Sequence, residues 1–176
     1  MFQIVAIALA VSGFCLESSA RADDAEDKAV AFVEKLGGYV VRDEKVPGKP
    51  VVVVNMARAR MTDAALKELA SLKNLTTLYL HGTKVTDAGL KELVPLKNLT
   101  ALYLDDTKVT DKGLKELMPL KNLTTLHLQD TKVTDAGLKE LTPLKNLTAL
   151  YLDNTKVTDA GVKELQKALP KCKIEK

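Results

Sequence analysis

A repeat of 24 residues constrains this chain more than any other feature. Four consecutive units begin at Leu72, Leu96, Leu120 and Leu144, and the first reads LKNLTTLYLHGTKVTDAGLKELVP. A degenerate unit in the same register precedes them. A fixed period of this length is typical of a solenoid, in which each unit packs on the next. We therefore predict five stacked coils, at residues 48–71, 72–95, 96–119, 120–143 and 144–167.

Each unit contains two different hydrophobic periods. Leu78 and Leu80 alternate with more polar neighbours, which is the pattern of a half-buried strand. In TDAGLKEL the apolar residues Leu90 and Leu93 fall three apart, and the preceding Thr-Asp pair favours a helix start. One strand and one short helix per coil predict strands that pair in parallel.

The motif L-x-x-L-x-L-x-x-T-x-V-T-D-x-G-L-x-x-L, at residues 75–93, resembles the leucine-rich-repeat family. Its T-D-x-G-L half is similar to the subclass seen in F-box proteins, and the whole chain resembles exported bacterial leucine-rich-repeat proteins. The resemblance implies an α/β solenoid with a parallel β-sheet on the concave face and short helices on the convex face. Residues 23–47 contain no F-box, so no role in ubiquitin ligation is carried over.

One position of the motif departs from the family pattern. The residue that is usually Asn or Cys is Thr83, Thr107, Thr131 or Thr155 here. A threonine hydroxyl can bond the turn backbone, so we expect a threonine ladder in place of the asparagine-type ladder. The repeated Asn-Leu-Thr also matches the N-glycosylation pattern, although it follows from the repeat itself.

The residues flanking the repeats are predicted to cover the two ends, because an open parallel edge exposes unpaired backbone groups. Residues 23–47 predict an N-terminal cap, with a helix over 24–36 followed by a strand at Tyr39-Val40-Val41. Residues 168–176 predict a C-terminal cap. Within it, Ile174 stands 24 residues after Leu150 and should begin a last strand beside it.

Residues 1–22 predict a signal peptide. The apolar run from Phe2 to Leu16 is followed by small residues, and Ala20-Arg21-Ala22 matches the signal-peptidase pattern. The run is shorter than the ~20 residues that span a bilayer, so we expect export to the periplasm or medium with no stable membrane span. An uncleaved N-terminal anchor is the alternative. After cleavage only Cys172 remains, which excludes an intrachain disulfide.

The charged and reactive residues favour binding over catalysis. A net charge of +3 gives no general attraction to nucleic acid. The two histidines lie two repeats apart, about 10 Å by strand spacing, which is too far to share one zinc ion. No nucleophile–base grouping or glycine-rich phosphate loop can be assembled. We expect no catalytic residues, no metal site and no cofactor, although neighbouring Asp106 and Asp130 could in principle bind calcium.

The candidate site lies on the strands. Half of the positions that vary among the four full units fall in the strand segment. Adjacent strands lie ~4.8 Å apart, so these positions form columns across the sheet. The residues predicted to bind a partner are Asn55, Tyr79, His81, Tyr103, Asp105, Asp106, His127, Gln129, Asp130, Tyr151 and Asp153.

Tyrosine is favoured in binding surfaces because it offers a large contact area with few rotatable bonds. We therefore predict a protein-interaction module that binds another protein through this face. The alternative is a cell-envelope structural or glycan-binding protein whose tyrosines stack on sugar rings. Tyrosine is also a good strand residue, so simple copying of the repeat explains the same column without a ligand.

Overall fold

The structure, a computed structural model, describes residues 12–176, and it describes side chains from residue 24 onward. A seven-stranded sheet follows the chain order from β1 to β7. Its strands are β1 (Tyr39–Arg42), β2 (Val51–Asn55), β3 (Thr77–Tyr79), β4 (Ala101–Tyr103), β5 (Thr125–His127), β6 (Ala149–Tyr151) and β7 (Lys173–Glu175). Strands β2 to β7 pair in parallel, which confirms the predicted α/β solenoid. The cap strand β1 instead pairs with β2 in the antiparallel direction.

A helix follows each of the strands β2 to β6. The helices are α1 (Ser12–Lys35), α2 (Asp63–Leu66), α3 (Asp87–Leu90), α4 (Asp111–Glu116), α5 (Asp135–Glu140) and α6 (Asp159–Ala168). Within the repeats they are shorter than the periodicity suggests, because α2 and α3 continue as 3₁₀ segments at Lys67–Ser71 and Lys91–Leu93. The solvent-facing side of the sheet, opposite these helices, is called the concave face below.

Leucine rows fill the space between sheet and helices. The coil that starts at Leu72 fully buries six leucines and one valine, at positions 72, 75, 78, 80, 85, 90 and 93. The same positions are buried in the neighbouring coils, so the core runs through the whole solenoid. Val33 of α1 closes this core at the N-terminal end, and Leu169 and Cys172 close it at the other. Ile174 lies beside Leu150 in β7, as the 24-residue spacing predicts.

The aspartate of the T-D-x-G motif joins each coil to the next. Asp87 accepts two hydrogen bonds from Thr110 of the following coil, from the backbone N–H at 2.7 Å and from the hydroxyl at 2.6 Å. The Thr110 hydroxyl also accepts from the N–H of Lys112, so it caps helix α4. The same contacts join three other coil pairs, with acceptors Asp63, Asp111 and Asp135. Four carboxylates thus form a ladder along the solenoid, and this ladder was not predicted.

The glycine of the motif makes room for that carboxylate. A Cβ atom placed on Gly113 would collide with the Oδ1 atom of Asp87 and lie 3.0 Å from Leu90 Cδ1. Gly89, Gly137 and Gly161 face the aspartate of the preceding coil in the same way. The first coil carries Ala65 at this position, and no coil with an equivalent aspartate precedes it. The glycine therefore appears only where a preceding carboxylate must be cleared.

The motif aspartate of the coil at 144–167 is held by charge. Lys176 Nζ contacts Asp159 Oδ1 at 2.5 Å. The hydrogen bond and charge of Lys176 lower the pKa of Asp159. A lysine thus contacts the same oxygen atom that accepts a threonine N–H at Asp87.

The Asn-Leu-Thr motif also has a structural role, because its side chains bond to the preceding coil. The side-chain amide of Asn98 donates to the Lys73 carbonyl at 2.9 Å, and the Thr100 hydroxyl donates to the Thr76 carbonyl at 3.0 Å. Equivalent bonds recur at Asn122 and later coils. These bonds to the preceding coil account for the motif without glycosylation.

The predicted threonine ladder is wrong in one respect. The hydroxyl of Thr83 does bond the turn backbone, donating to the Leu80 carbonyl at 2.6 Å. That carbonyl belongs to the same coil, and Thr107, Thr131 and Thr155 repeat the arrangement. These threonines, of which Thr155 is only partly buried, close each turn, and other side chains connect the coils.

The N-terminal segment is only partly described. Residues 1–11 of the predicted signal peptide lie outside the described residues, and residues 12–22 form the start of α1. Farther along the same helix, Glu26 accepts hydrogen bonds from Arg42 and from the Val51 N–H, so α1 is fixed to β1 and β2. Among the described residues no helix is long and apolar enough to span a membrane. Signal cleavage stays a prediction.

Replacing Gly113 with alanine tests the ladder. An alanine inside a helix normally stabilises it by roughly 0.5–1 kcal/mol relative to glycine. Here the added methyl group must displace Asp87 from Thr110, so we expect Gly113→Ala to lower the free energy of unfolding by about 1–3 kcal/mol. Urea unfolding measures the change.

The matched background is Asp87→Ala, in which the carboxylate that the methyl group would meet is absent. In that background the cost of Gly113→Ala should shrink, because only the contacts with Leu90 and the Asp87 backbone remain. A Gly113→Ala protein as stable as the parent would contradict this role of the glycine.

Candidate binding face

The sheet register places the predicted column residues side by side. Tyr79 pairs with Tyr103, Tyr103 with His127, and His127 with Tyr151. Asn55 precedes them in the same row. We call Tyr79, Tyr103, His127 and Tyr151 the aromatic column.

Two further residues extend this row, and sequence reasoning missed both. Glu175 lies beside Tyr151 at the C-terminal end, and the period could have found it because it stands 24 residues later. Tyr39 lies beside Asn55 at the other end, and its hydroxyl accepts a hydrogen bond from the Asn55 side chain at 2.9 Å. No period locates Tyr39, because β1 lies outside the repeats and runs antiparallel. Tyr39 is 57 % exposed, the largest value among the bulky hydrophobic side chains of residues 24–176.

The four rings of the aromatic column stack face to face. Their successive centroids lie 4.3, 4.3 and 4.1 Å apart, with interplanar angles of 19°, 26° and 20°. Such pairs contribute about 0.5–1.5 kcal/mol each beyond the area they bury. Tyr103 and His127 have a ring against both faces, so they present edges and polar atoms to solvent. A sugar ring could lie flat only against the two end rings, which weakens the glycan alternative.

A row of small side chains borders the aromatic column on one side. It contains Val53, Thr77, Ala101, Thr125 and Ala149, which are paired across the strands in that order. Each shares a strand and a face with a residue of the column's row, because alternate residues of a strand point the same way. The concave face therefore has an aromatic ridge beside a shallow trough. We call this set the small-residue row.

A polar row borders the aromatic column on its other side. It contains Ala57, His81, Asp105, Gln129 and Asp153. Backbone bonds hold it in register beyond the strands, since the Arg58 N–H donates to the His81 carbonyl and the Gly82 N–H donates to the Asp105 carbonyl. These residues are partly exposed, except Asp153, which is exposed.

Asp105 is the exceptional member of the polar row. Its Oδ1 atom is buried and accepts no hydrogen bond within the described part of the chain. His127 Nδ1 lies 3.7 Å from that oxygen and 3.2 Å from Gln129 Oε1, so the imidazole is closer to the amide. Burial raises the pKa of Asp105, while the nearby His127 and His81 and backbone N–H groups oppose the rise. The centre of this face thus contains an incompletely compensated carboxylate.

The phenol of Tyr103 is also perturbed. Burial and, next, the neighbouring Tyr79 raise the pKa of Tyr103 above its usual value of 10.0. Its hydroxyl therefore stays protonated at neutral pH and can donate a hydrogen bond to a partner.

A further column, one residue beyond the polar row, includes the predicted Asp106 and Asp130 and has a conformational explanation. Arg58, Gly82, Asp106, Asp130 and Asn154 all have left-handed backbones, with φ between 50° and 67°. Glycine, asparagine and aspartate tolerate this region best. The turn therefore accounts for Asp106 and Asp130 without a ligand. No group of three or more metal-ligating side chains occurs among the described residues.

The thiol of Cys172 is buried and unreactive. Cys172 is buried in the C-terminal part of the core. Burial raises the pKa of its thiol to about 11, so the nucleophilic thiolate is scarce at neutral pH.

Comparisons with known proteins agree with the geometry. A model of two leucine-rich repeats matches residues 121–167, and a model of one leucine-rich repeat matches residues 71–94 and 96–118. Together these matches cover more than half of the sequence. No curated protein matches the chain.

Two solved structures illustrate the similarity. A leucine-rich-repeat protein of Leptospira interrogans is 33% identical, with a TM-score of 0.51 over 62% of this chain. The match covers only 27% of the Leptospira chain, so the present protein spans about a quarter of that relative. The leucine-rich-repeat ectodomain of the receptor kinase SOBIR1 from Arabidopsis thaliana has a TM-score of 0.55 at 16% identity, covering 86% of this chain and 90% of the ectodomain. At that identity the second likeness concerns the fold alone.

The buried carboxylate gives a pH-dependent prediction. Because the pKa of Asp105 is raised on folding, ionising this group costs stability as pH rises from its ordinary pKa of 3.8 through the raised value. We expect Asp105→Asn to melt at a higher temperature than the parent at pH 7. The difference should shrink as pH falls, since protonation of Asp105 removes the buried charge from the parent protein.

Thermal melting of both proteins between pH 3 and pH 7 provides the measurement. Asp153→Asn is the matched control, because that residue occupies the same row but is exposed. A lower melting temperature for Asp105→Asn at pH 7 would show that the carboxylate has a stabilising partner.

Proposed function

We propose that this chain, which belongs to the leucine-rich-repeat family, is an exported protein-interaction module that binds a partner protein through its concave face. Members of this family generally serve as non-enzymatic binding scaffolds. The aromatic column carries this proposal. It is the one continuous ridge of large side chains on the strands, and it is built at positions that the repeat leaves free to vary.

The chemistry of the face suits recognition of a protein. Tyrosines offer wide, stiff contact area with a hydroxyl at the tip, and such residues dominate the binding energy of many interfaces. Stacking also holds each ring before a partner arrives, which reduces the entropy lost on binding. The acids beside the column add charge that steers and selects partners.

The geometry supports no catalytic proposal. Among residues 24–176, His127 contacts an amide and a carboxylate but no hydroxyl or thiol nucleophile, and the remaining thiol is buried. The hydrogen bonds of the motif residues go to their own turn or to neighbouring coils, where they maintain the repeat. A scaffold that presents side chains is the function that this arrangement supports.

Replacing Tyr103 and Tyr151 together with alanine tests the binding face. We expect capture of the partner by crosslinking pull-down from the native compartment to fall at least about tenfold, because truncation of such aromatic anchors often costs 2 kcal/mol or more. The control is Lys112→Ala with Glu164→Ala, two exposed positions on the helical side. Circular dichroism verifies that both variants fold.

A crosslinker placed at Tyr103 should join the partner, whereas one placed at Glu164 should not. Undiminished capture by a folded Tyr103→Ala, Tyr151→Ala variant would exclude this face as the binding surface.

Export is tested separately by expressing the full chain in a bacterium and determining the mass of the product by mass spectrometry. We expect a mature protein that begins at Asp23 or, after the alternative cut at Ala20, at Arg21. Recovery in the cytoplasm with residues 1–22 retained would contradict export, and recovery in the membrane with them retained would favour the anchor.

A further inference from the structure

The backbone of the concave face has no free hydrogen-bonding groups in its centre. The N–H groups of Leu80, Leu104 and Leu128 donate to the carbonyls of Tyr103, His127 and Tyr151 on the next strand. The strands themselves pair on both sides from β2 to β6. A partner that lies on this face therefore meets side chains only. It must satisfy its own backbone groups, because burying them unpaired is costly.

A helix meets this condition, and an extended segment does not. A helix bonds its N–H and C=O groups internally, whereas an extended segment on the face of a sheet leaves many of them unpaired. The spacing agrees. The aromatic column repeats every ~4.8 Å, close to the helical pitch of ~5.4 Å, whereas same-side residues of an extended chain are ~6.6–6.8 Å apart.

The relief of the face also fits a helix. The small-residue row leaves a trough beside the ridge, with Ala101 and Ala149 opposite Thr77 and Thr125. Apolar side chains on one stripe of a helix can enter this trough while the helix lies against the ring edges. Four rings span roughly 14 Å at the strand spacing, which corresponds to about ten helical residues.

The charge of the concave face determines which residues the partner helix should carry beside its apolar stripe. Asp105 and Asp153 lie in the polar row, and Asp106 and Asp130 lie just outside it. The basic side chains Arg58 and Lys173 stand at the two ends of the face, beside β2 and in β7, and Lys173 is paired with Glu175 at 2.6 Å. Asp105 occupies the centre, and its Oδ1 atom lacks a donor. The Asp105 side chain remains 23% exposed, so a lysine or arginine from the partner can place a positive charge beside this carboxylate.

Resting on the proposed function, we infer that the partner segment is an amphipathic α-helix of about three turns. It lies along the aromatic column, packs an apolar stripe on the small-residue row and directs basic residues at the polar row. Asp105 is the specificity-determining residue of this contact, since it selects a basic flank over a neutral or acidic one.

Two displayed peptide libraries test the inference on the immobilised full chain. Both contain 14-residue peptides with an apolar stripe and three flank positions varied among Lys, Gln and Glu. The second library differs by a central proline, which prevents the helix. We expect Lys-flanked clones from the first library and none from the second.

The recovered clones are then measured against variants. Affinity should fall about tenfold on Asp105→Asn and remain unchanged on Glu164→Gln, an exposed acid of α6 that serves as the matched control. Glu-flanked clones, clones from the proline library, no clones at all, or indifference to Asp105→Asn would overturn the helix inference.

The two proposals fail in different ways. If non-helical clones lose affinity on Tyr103→Ala with Tyr151→Ala, the binding face stands and only the helix is wrong. If every clone binds that folded variant as well as the parent, the ridge is not the binding surface and both proposals fall.

Discussion

An aspartate carboxylate fixes each coil of this solenoid to the next, and the rest of the structure depends on that contact. Asp87 holds both the N–H and the hydroxyl of Thr110, and the same threonine caps its own short helix. Hydrogen bonds to a charged acceptor contribute about 1.5–3 kcal/mol, more than neutral ones. The helices are only four to six residues long in α2 to α5, too short to form alone. The ladder and the leucine core stabilise them together.

This constraint also creates the candidate binding face. Once the coils stack in a fixed register, every residue spaced by 24 must lie beside its equivalent, at the separation of adjacent strands. Tyr79, Tyr103, His127 and Tyr151 stack in that order because their strands are neighbours in the sheet. The stacked column is thus a rigid feature of the free protein. Recognition can use it without ordering the rings first.

Much of the fold could be predicted because the repeat states the spacing directly, and the columns through Tyr103 and Asp105 followed from it. The role of Asp87 could not be predicted. A carboxylate after a threonine also favours a helix start, and the hydrogen-bond partner of Asp87 lies in the next coil. Tyr39 was missed because an antiparallel strand outside the repeat has no period to locate it. The left-handed backbone at Asp106 explains why an aspartate occupies that position, and composition alone does not reveal this conformation.

Ring-to-ring contacts measured by nuclear Overhauser spectroscopy on the full chain test the register most directly. The account predicts cross-peaks between Tyr79 and Tyr103, between Tyr103 and His127, and between His127 and Tyr151, with no direct contact between Tyr79 and His127. Cross-peaks in another order, or none between these rings in the folded protein, would contradict the stacking of the coils and the face built upon it.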